Sequence, residues 1–155
     1  MNYLNIEKKT LNKVAESLNL LLADYQIYYQ NLRRYHWHVQ GVNFFDLHVK
    51  FEELYTSAQL VIDELAERIL TIRFKPMATL KEYLELANVK EIHAEKDSEM
   101  VSAILDNHKI IINQMRTVLE NAAECEDEGT TDLVASLLSA LEKSSWMLDA
   151  WNTKS

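Results

Sequence analysis

Two glycines and one proline in 155 residues leave this chain very little turn chemistry. Strands and tight loops need such residues, so the scarcity argues against a β-rich chain and for long helices with few connections. One cysteine, Cys125, excludes an internal disulfide and suits a reducing compartment. No apolar run approaches the length of a membrane span. The opening residues, MNYLNIEKKTLNKV, have neither the apolar core nor the cleavage signature of a secretory signal, which points to a cytoplasmic protein. Basic residues are also in deficit: 16 Lys and Arg against 24 Asp and Glu leave a formal charge of −8. That balance disfavours non-specific binding to nucleic acid or an anionic membrane, and it suits attraction of cations.

What is present is helical. Hydrophobic content of 48% excludes disorder, and the length fits a single domain over residues 1–155. Leu11, Val14, Leu18, Leu21, Leu22, Tyr25, Leu32 and Val39 form a helical stripe from about residue 8 to 39. Gly41 breaks it, and Asn43 is an expected N-cap for a second helix running to about Arg73. Pro76 interrupts the pattern, and Thr79-Leu-Lys-Glu82 reads as a capping box opening a short helix inside a long crossover. A third long helix starts near Ser98 and carries Val101, Ile104, Leu105, His108, Ile111, Ile112, Met115, Val118 and Leu119. The acidic run Glu124–Thr131 ends it, and a last helix carries Leu133, Val134, Leu137, Leu138, Leu141, Leu148 and Trp151. The predicted fold is all-α: a ferritin-like four-helix bundle with a short helix in the crossover between helices two and three.

The second helix holds two pairs of potential metal ligands, His48/Glu52 and Asp63/Glu67. Four-residue spacing puts both members of a pair on one helix face. An imidazole with three carboxylates suits iron, manganese or zinc better than a soft, sulfur-preferring metal. The pair centres lie ~22 Å apart along the helix, so one helix cannot close both pairs around one ion. A second copy, antiparallel about a two-fold axis near Ser57 and Ala58, sets each His48/Glu52 opposite the partner copy's acidic pair. The usual motif of an intra-bundle di-iron centre, Glu-x-x-His, is missing. The residues three before the histidines are Arg33, Tyr35, Phe45, Lys90 and Leu105.

The stretch HWHVQGVNFFDLHVKFEELY…DELAER resembles the signature of the Dps family, the mini-ferritins or DNA-binding proteins from starved cells. The likeness extends to ATLKEYLE, DEGTTDL and EKSSWMLDAW. The resemblance implies a hollow dodecamer with ferroxidase sites at two-fold interfaces. It implies Fe(II) oxidation, preferentially by hydrogen peroxide, and ferric mineral inside. The family pattern maps onto His36, His48 and Glu52 of one subunit and Asp63 and Glu67 of its dyad mate. Many relatives have Asp where this chain has Glu52. Trp37, beside the site, reads as interface packing; the resemblance also offers it as an interceptor of oxidising equivalents. His38 competes with His36 for the ligand role.

Blander readings stand beside these. Polar pairs at i,i+4 usually form a solvated face, and Arg68 reads as a salt-bridge partner. His93 and His108 read as structural or surface residues. Cys125 reaches a pore or fills space. Glu124, Glu126, Asp127, Glu128 and Asp132 form either a solvated loop or, by the resemblance, part of an acidic three-fold pore. The rival function is DNA compaction. It needs Lys or Arg against phosphates, yet the chain ends offer only Lys8, Lys9, Lys13 and Lys154. A third reading is a shell that binds zinc or manganese without oxidation chemistry, since first-row metals compete for such ligands.

Overall fold

The structure, a computed structural model, describes residues 1–153. After a 3₁₀ turn, Lys8–Leu11, come α1 (Asn12–His38), α2 (Phe44–Thr71), α3 (Leu80–Leu86), α4 (Asp97–Glu124) and α5 (Glu128–Asn152). α1 packs along α2 and α4 along α5, each pair joined by a short turn and therefore antiparallel. α1 also packs on α4, and the crossover helix α3 lies against α1. This is the expected ferritin-like bundle.

The ends follow local chemistry. Gly41 turns the chain at φ +100°, a left-handed conformation that glycine adopts without steric cost. Thr79 and Glu82 close the expected capping box: Glu82 N donates to Thr79 Oγ1 at 3.2 Å, and Thr79 N donates to Glu82 Oε2 at 3.0 Å. Asn43 corrects the expectation. It holds the N-cap position of α2 without capping it, and its Nδ2 instead donates to Asp97 Oδ2 at 2.6 Å, tying α2 to the start of α4. The acidic break before α5 is also shorter than the sequence suggests. Asp127 caps α5 by accepting from Thr130 N at 3.1 Å, so Gly129 already lies in the helix.

The core stripe of α2 is Leu47, Phe51, Leu54, Ala58, Val61, Leu65 and Ile69. Burying each large member contributes roughly 1.5–3 kcal/mol. Ala58 is only 2% exposed and faces this core. It therefore cannot line an outward helix–helix contact, as the proposed axis required; the small side chains on the outside are Thr56 and Ser57. Trp151 departs from its expected stripe and is exposed at the end of α5.

Several polar groups in the interior pair with one another, while Asp24 Oδ2 and Asn107 Nδ2 are buried without a partner among the described residues. Ser145 donates its only hydroxyl proton to Leu141 O at 2.7 Å, so it accepts from His108 Nδ1 at 2.8 Å. In that tautomer His108 Nε2 accepts from the Tyr28 hydroxyl at 2.7 Å. Burial lowers the His108 pKa from 6.5 to about 4, so the ring is neutral at pH 7. Asn31 Nδ2 donates to Asn107 Oδ1 and to Lys90 O. Asp24 Oδ1 accepts from the backbone N–H of Asn88 and Val89, which holds the crossover against α1. Burial raises the Asp24 pKa despite those bonds.

Candidate metal centre

α1 ends and α2 begins on either side of Gly41, and this brings His36 and His48 face to face. Their rings stack at 3.8 Å with 16° between planes. Their hydrogen bonds are reciprocal: His36 Nδ1 donates to His48 O at 2.6 Å, and His48 Nδ1 donates to His36 O at 2.7 Å. A carbonyl only accepts, so the proton of each neutral ring sits on Nδ1 and the lone pair on Nε2. This is the tautomer a metal-binding imidazole needs, fixed by a backbone carbonyl behind it. The His36 carbonyl belongs to the last turn of α1, where carbonyls lack helical partners, so the bond also completes that helix end.

Aromatic rings brace the pair. Phe44 stacks on His48 at 4.8 Å, and Tyr55 meets His36 edge-on at 5.3 Å. Both were missed in the sequence, although each sits at helical spacing from a marked residue: Phe44 four before His48, and Tyr55 three after Glu52. His36 is 8% exposed, while His38 is exposed and takes no part in the stack. Trp37 is 60% exposed, with the Arg33 guanidinium 5.6 Å from its ring.

Glu52 lies one turn beyond His48 and is exposed, lining a shallow groove with Val49, Thr56, Ser57 and Leu60. Asp63 and Glu67 are exposed on the same helix. Eleven residues separate Glu52 from Asp63, and eleven steps of the helix return to within about 20° of the same direction. The four ligand candidates of α2 thus lie on its outward side, opposite the core stripe. Among the described residues of one chain, no three His, Cys, Asp or Glu side chains converge on a common point. The chain brings His36 and His48 together with Glu52 nearby, and leaves Asp63 and Glu67 further along α2.

The remaining marked residues sort themselves. Arg68 pairs with Asp127, Nη2 to Oδ1 at 2.6 Å, and its Nε donates to Thr130 Oγ1 at 2.9 Å. Asp127 is therefore a buried brace between α2 and α5, at 3% exposure, and not a member of an open acidic surface. A side chain at Gly129 would strike that guanidinium, its Cβ falling 2.6 Å from Nη2. Glu124, Glu126, Glu128 and Asp132 are exposed. Cys125 closes α4 half-buried, its Sγ against the carbonyls of Asn121 and Ala122, and burial raises its pKa. Exposed His93 accepts from Arg34 at Nδ1 and faces Glu95, whereas His108 belongs to the core. Lys9 pairs with Glu7 and Lys13 with Glu124, while Lys8 sits over Phe74. Lys154 lies outside the described residues.

Comparison with known proteins places this architecture. The Ferritin-like domain family matches residues 15–154. DNA protection during starvation protein 2 of Bacillus anthracis is 43% identical over 143 residues, covering 91% of this chain and 98% of the relative. A crystal structure of a Dps protein from Vibrio cholerae O1 superposes with a TM-score of 0.95 at 44% identity, over 99% of this chain and 97% of that one. It is described as a member of a broad superfamily of ferritin-like diiron-carboxylate proteins. A Dps protein from Bacillus brevis superposes with a TM-score of 0.91 at 40% identity, over 96% of this chain and all of that one. An all-helical bundle whose ligand candidates lie on its outside, matched along its length by these relatives, identifies the chain as belonging to the Dps family of ferritin-like proteins.

Proposed function

We propose that this protein is a ferroxidase that detoxifies and stores iron in a hollow homo-oligomeric shell, with each iron site built between two subunits. The observation that carries the reading is the His36/His48 lock. It leaves the Nε2 lone pair of each imidazole free, and with Glu52 one turn beyond His48 these residues would form half of a site for a borderline cation such as Fe(II). Asp63 and Glu67 of a dyad-related copy supply the other half. Phe45, Val49, Leu60 and Leu70 are exposed along α2, apolar surface that a neighbouring copy would cover. Twelve copies form the shell in this reading, following the resemblance.

Here iron is the substrate. The carboxylates offset the charge of Fe(II) and favour Fe(III), and hydrogen peroxide accepts the electrons. Consuming Fe(II) and peroxide together removes both reagents of hydroxyl-radical chemistry, which protects DNA without touching it. The related protein of Bacillus anthracis is named for DNA protection. The charge of −8 per chain and the lysines held at the N-terminus favour protection without contact. Zinc and manganese compete for the same donors. No helix among the described residues is long and apolar enough to cross a membrane.

Anaerobic Fe(II) titration, followed by peroxide or oxygen in separate samples, tests the reading, with particle size measured on the same material. Saturable binding, faster oxidation by peroxide and a shell-sized particle are expected. A monomeric particle, or oxidation no faster than in buffer, overturns it. A gel shift at neutral pH without metal should show no DNA retardation; tight retardation favours the compaction reading.

A further inference from the structure

We propose that Asp97, at the start of α4, is a positioning residue for the iron half-site: through Asn43 it sets the register of α2 against α1 in which the His36–His48 lock closes. The inference deepens the ferroxidase reading above and rests on it. The two rings come from different helices, so their 3.8 Å stacking depends on how those helices are held. One short segment, the end of the crossover with the first residue of α4, is bonded to both.

On the α1 side the ties are several. Asn31 Nδ2 donates to Lys90 O at 2.9 Å, the Tyr35 hydroxyl to Ile92 O at 2.8 Å, and Arg34 Nη2 to His93 Nδ1 at 2.7 Å. On the α2 side there is one. Among the described residues, the 2.6 Å bond from Asn43 Nδ2 to Asp97 Oδ2 is the only hydrogen bond joining the N-cap or first turn of α2 to another element. Both residues are half-buried. Asp97 Oδ1 accepts from Ser98 N at 2.7 Å, so the carboxylate is itself fixed to the backbone of α4.

His48 follows Asn43 by five residues, about 7.5 Å of helix. So short a stretch of helix moves as one body, and play at Asn43 reaches the ring. The lock tolerates little of it. Its two bonds, at 2.6 and 2.7 Å, run in opposite directions between the same two residues. A slide of about 1 Å carries one of them to roughly 3.6 Å, where hydrogen bonding ends. The freed ring then exchanges tautomers, and the fraction with its lone pair on Nε2 falls. Fe(II) binding weakens, although Asp97 is no ligand.

The test uses assembled shells, with particle size checked for each variant. Anaerobic Fe(II) titration reads affinity, and peroxide-driven oxidation is followed against Fe(II) concentration. Asp97→Ala should weaken Fe(II) binding roughly three- to ten-fold, less than the ~10- to 100-fold cost of losing a group bonded directly to a ligand. It should raise KM and leave kcat little changed. Asp97→Asn removes the same charge, but its amide oxygen still accepts from Asn43, so it should bind within about two-fold of wild type. Asn43→Ala, which leaves the start of α4 intact, should match Asp97→Ala. The double variant should be no weaker than either single one, since the same bond is lost in all three. Wild-type affinity in Asp97→Ala or Asn43→Ala shells, or equal losses in Asp97→Asn and Asp97→Ala, overturns the proposal and leaves the ferroxidase reading standing. Wild type without saturable Fe(II) binding overturns both.

Discussion

The interior of the bundle, with His108, and the α1–α2 turn, with His36 and His48, both use histidine hydrogen bonds, yet they are built for opposite ends. Inside, Tyr28, His108, Ser145 and the Leu141 carbonyl form one directed chain, and both nitrogens of His108 are used. At the α1–α2 turn, His36 and His48 each spend one nitrogen on a backbone carbonyl and keep the other. A histidine with both nitrogens committed holds a fold together. One with a single committed nitrogen is oriented and still has a lone pair to give. The ferritin-like bundle can place metal ligands in its interior; here His108 is committed to the fold, and the open donors lie at the α1–α2 turn and along the outward side of α2.

Substitutions on the two sides should separate the regions. The largest effect belongs to the acidic pair. Asp63→Asn or Glu67→Gln removes negative charge with little change of shape on an exposed face. Fe(II) oxidation should slow by at least the roughly 10- to 100-fold that loss of a residue supporting a metal ligand costs, with unfolding midpoints unchanged. Stopped-flow oxidation beside thermal melts measures both. Unchanged oxidation in both variants removes the surface half of the comparison.

Next come the interior groups, where the outcome should reverse. Tyr28→Phe strips His108 Nε2 of its partner. The cost of an unsatisfied buried acceptor is about 1–3 kcal/mol, read by denaturant unfolding, with iron oxidation retained. A large loss of oxidation without loss of stability would show that the interior takes part in the chemistry.

The same histidine sets a pH dependence. Its folded pKa, about 4, lies below the unfolded value of 6.5, so the folded state disfavours the charged ring. Its contribution is fully present above pH 6.5 and is lost as pH falls toward 4, because the unfolded chain takes up the proton first. The loss approaches ~3 kcal/mol across that window. His108→Gln, which retains hydrogen-bonding capacity, should flatten that part of the stability profile. An equally steep profile in the variant contradicts the assignment.

The smallest effect is expected at Glu52. Glu52→Asp keeps the carboxylate but shortens its reach, so Fe(II) affinity should shift by only a few-fold, while Glu52→Ala should lose more. Identical titrations for both variants and wild type would return Glu52 to the solvated face.

Much of the bundle was legible because it is written locally. Core residues recur at helical spacing, the crossover helix announces itself through Thr79 and Glu82, and few turn residues mean few turns. The ligand candidates were legible for the same reason, since i,i+4 spacing alone places them on one face. What escaped depends on contacts across the chain. The reciprocal His36–His48 lock needs the turn at Gly41 to fold back before either carbonyl meets the other ring. Tyr28 and Ser145 lie far from His108 in sequence, although its place in the apolar stripe of α4 was a usable sign of burial. Asp127 sits in an acidic run, and nothing local distinguishes the one carboxylate that Arg68 draws inward. Ala58 lies near the axis that ligand spacing suggests, but helical spacing sets it with Leu54, Val61 and Leu65 in the core stripe and so turns it inward.

The most direct test asks whether the open half-site is completed by another chain. His48→Ala and Asp63→Ala subunits, inactive separately, are co-expressed under different affinity tags, and shells carrying both are isolated. In a two-fold pair of unlike subunits, one site collects both lesions and the other collects neither. Random pairing should therefore restore about a quarter of the wild-type iron sites. Recovery near that level, by Fe(II) titration and peroxide-driven oxidation, is the expected result. Mixed shells no more active than either parent would contradict the account, since each chain would then be holding its iron alone.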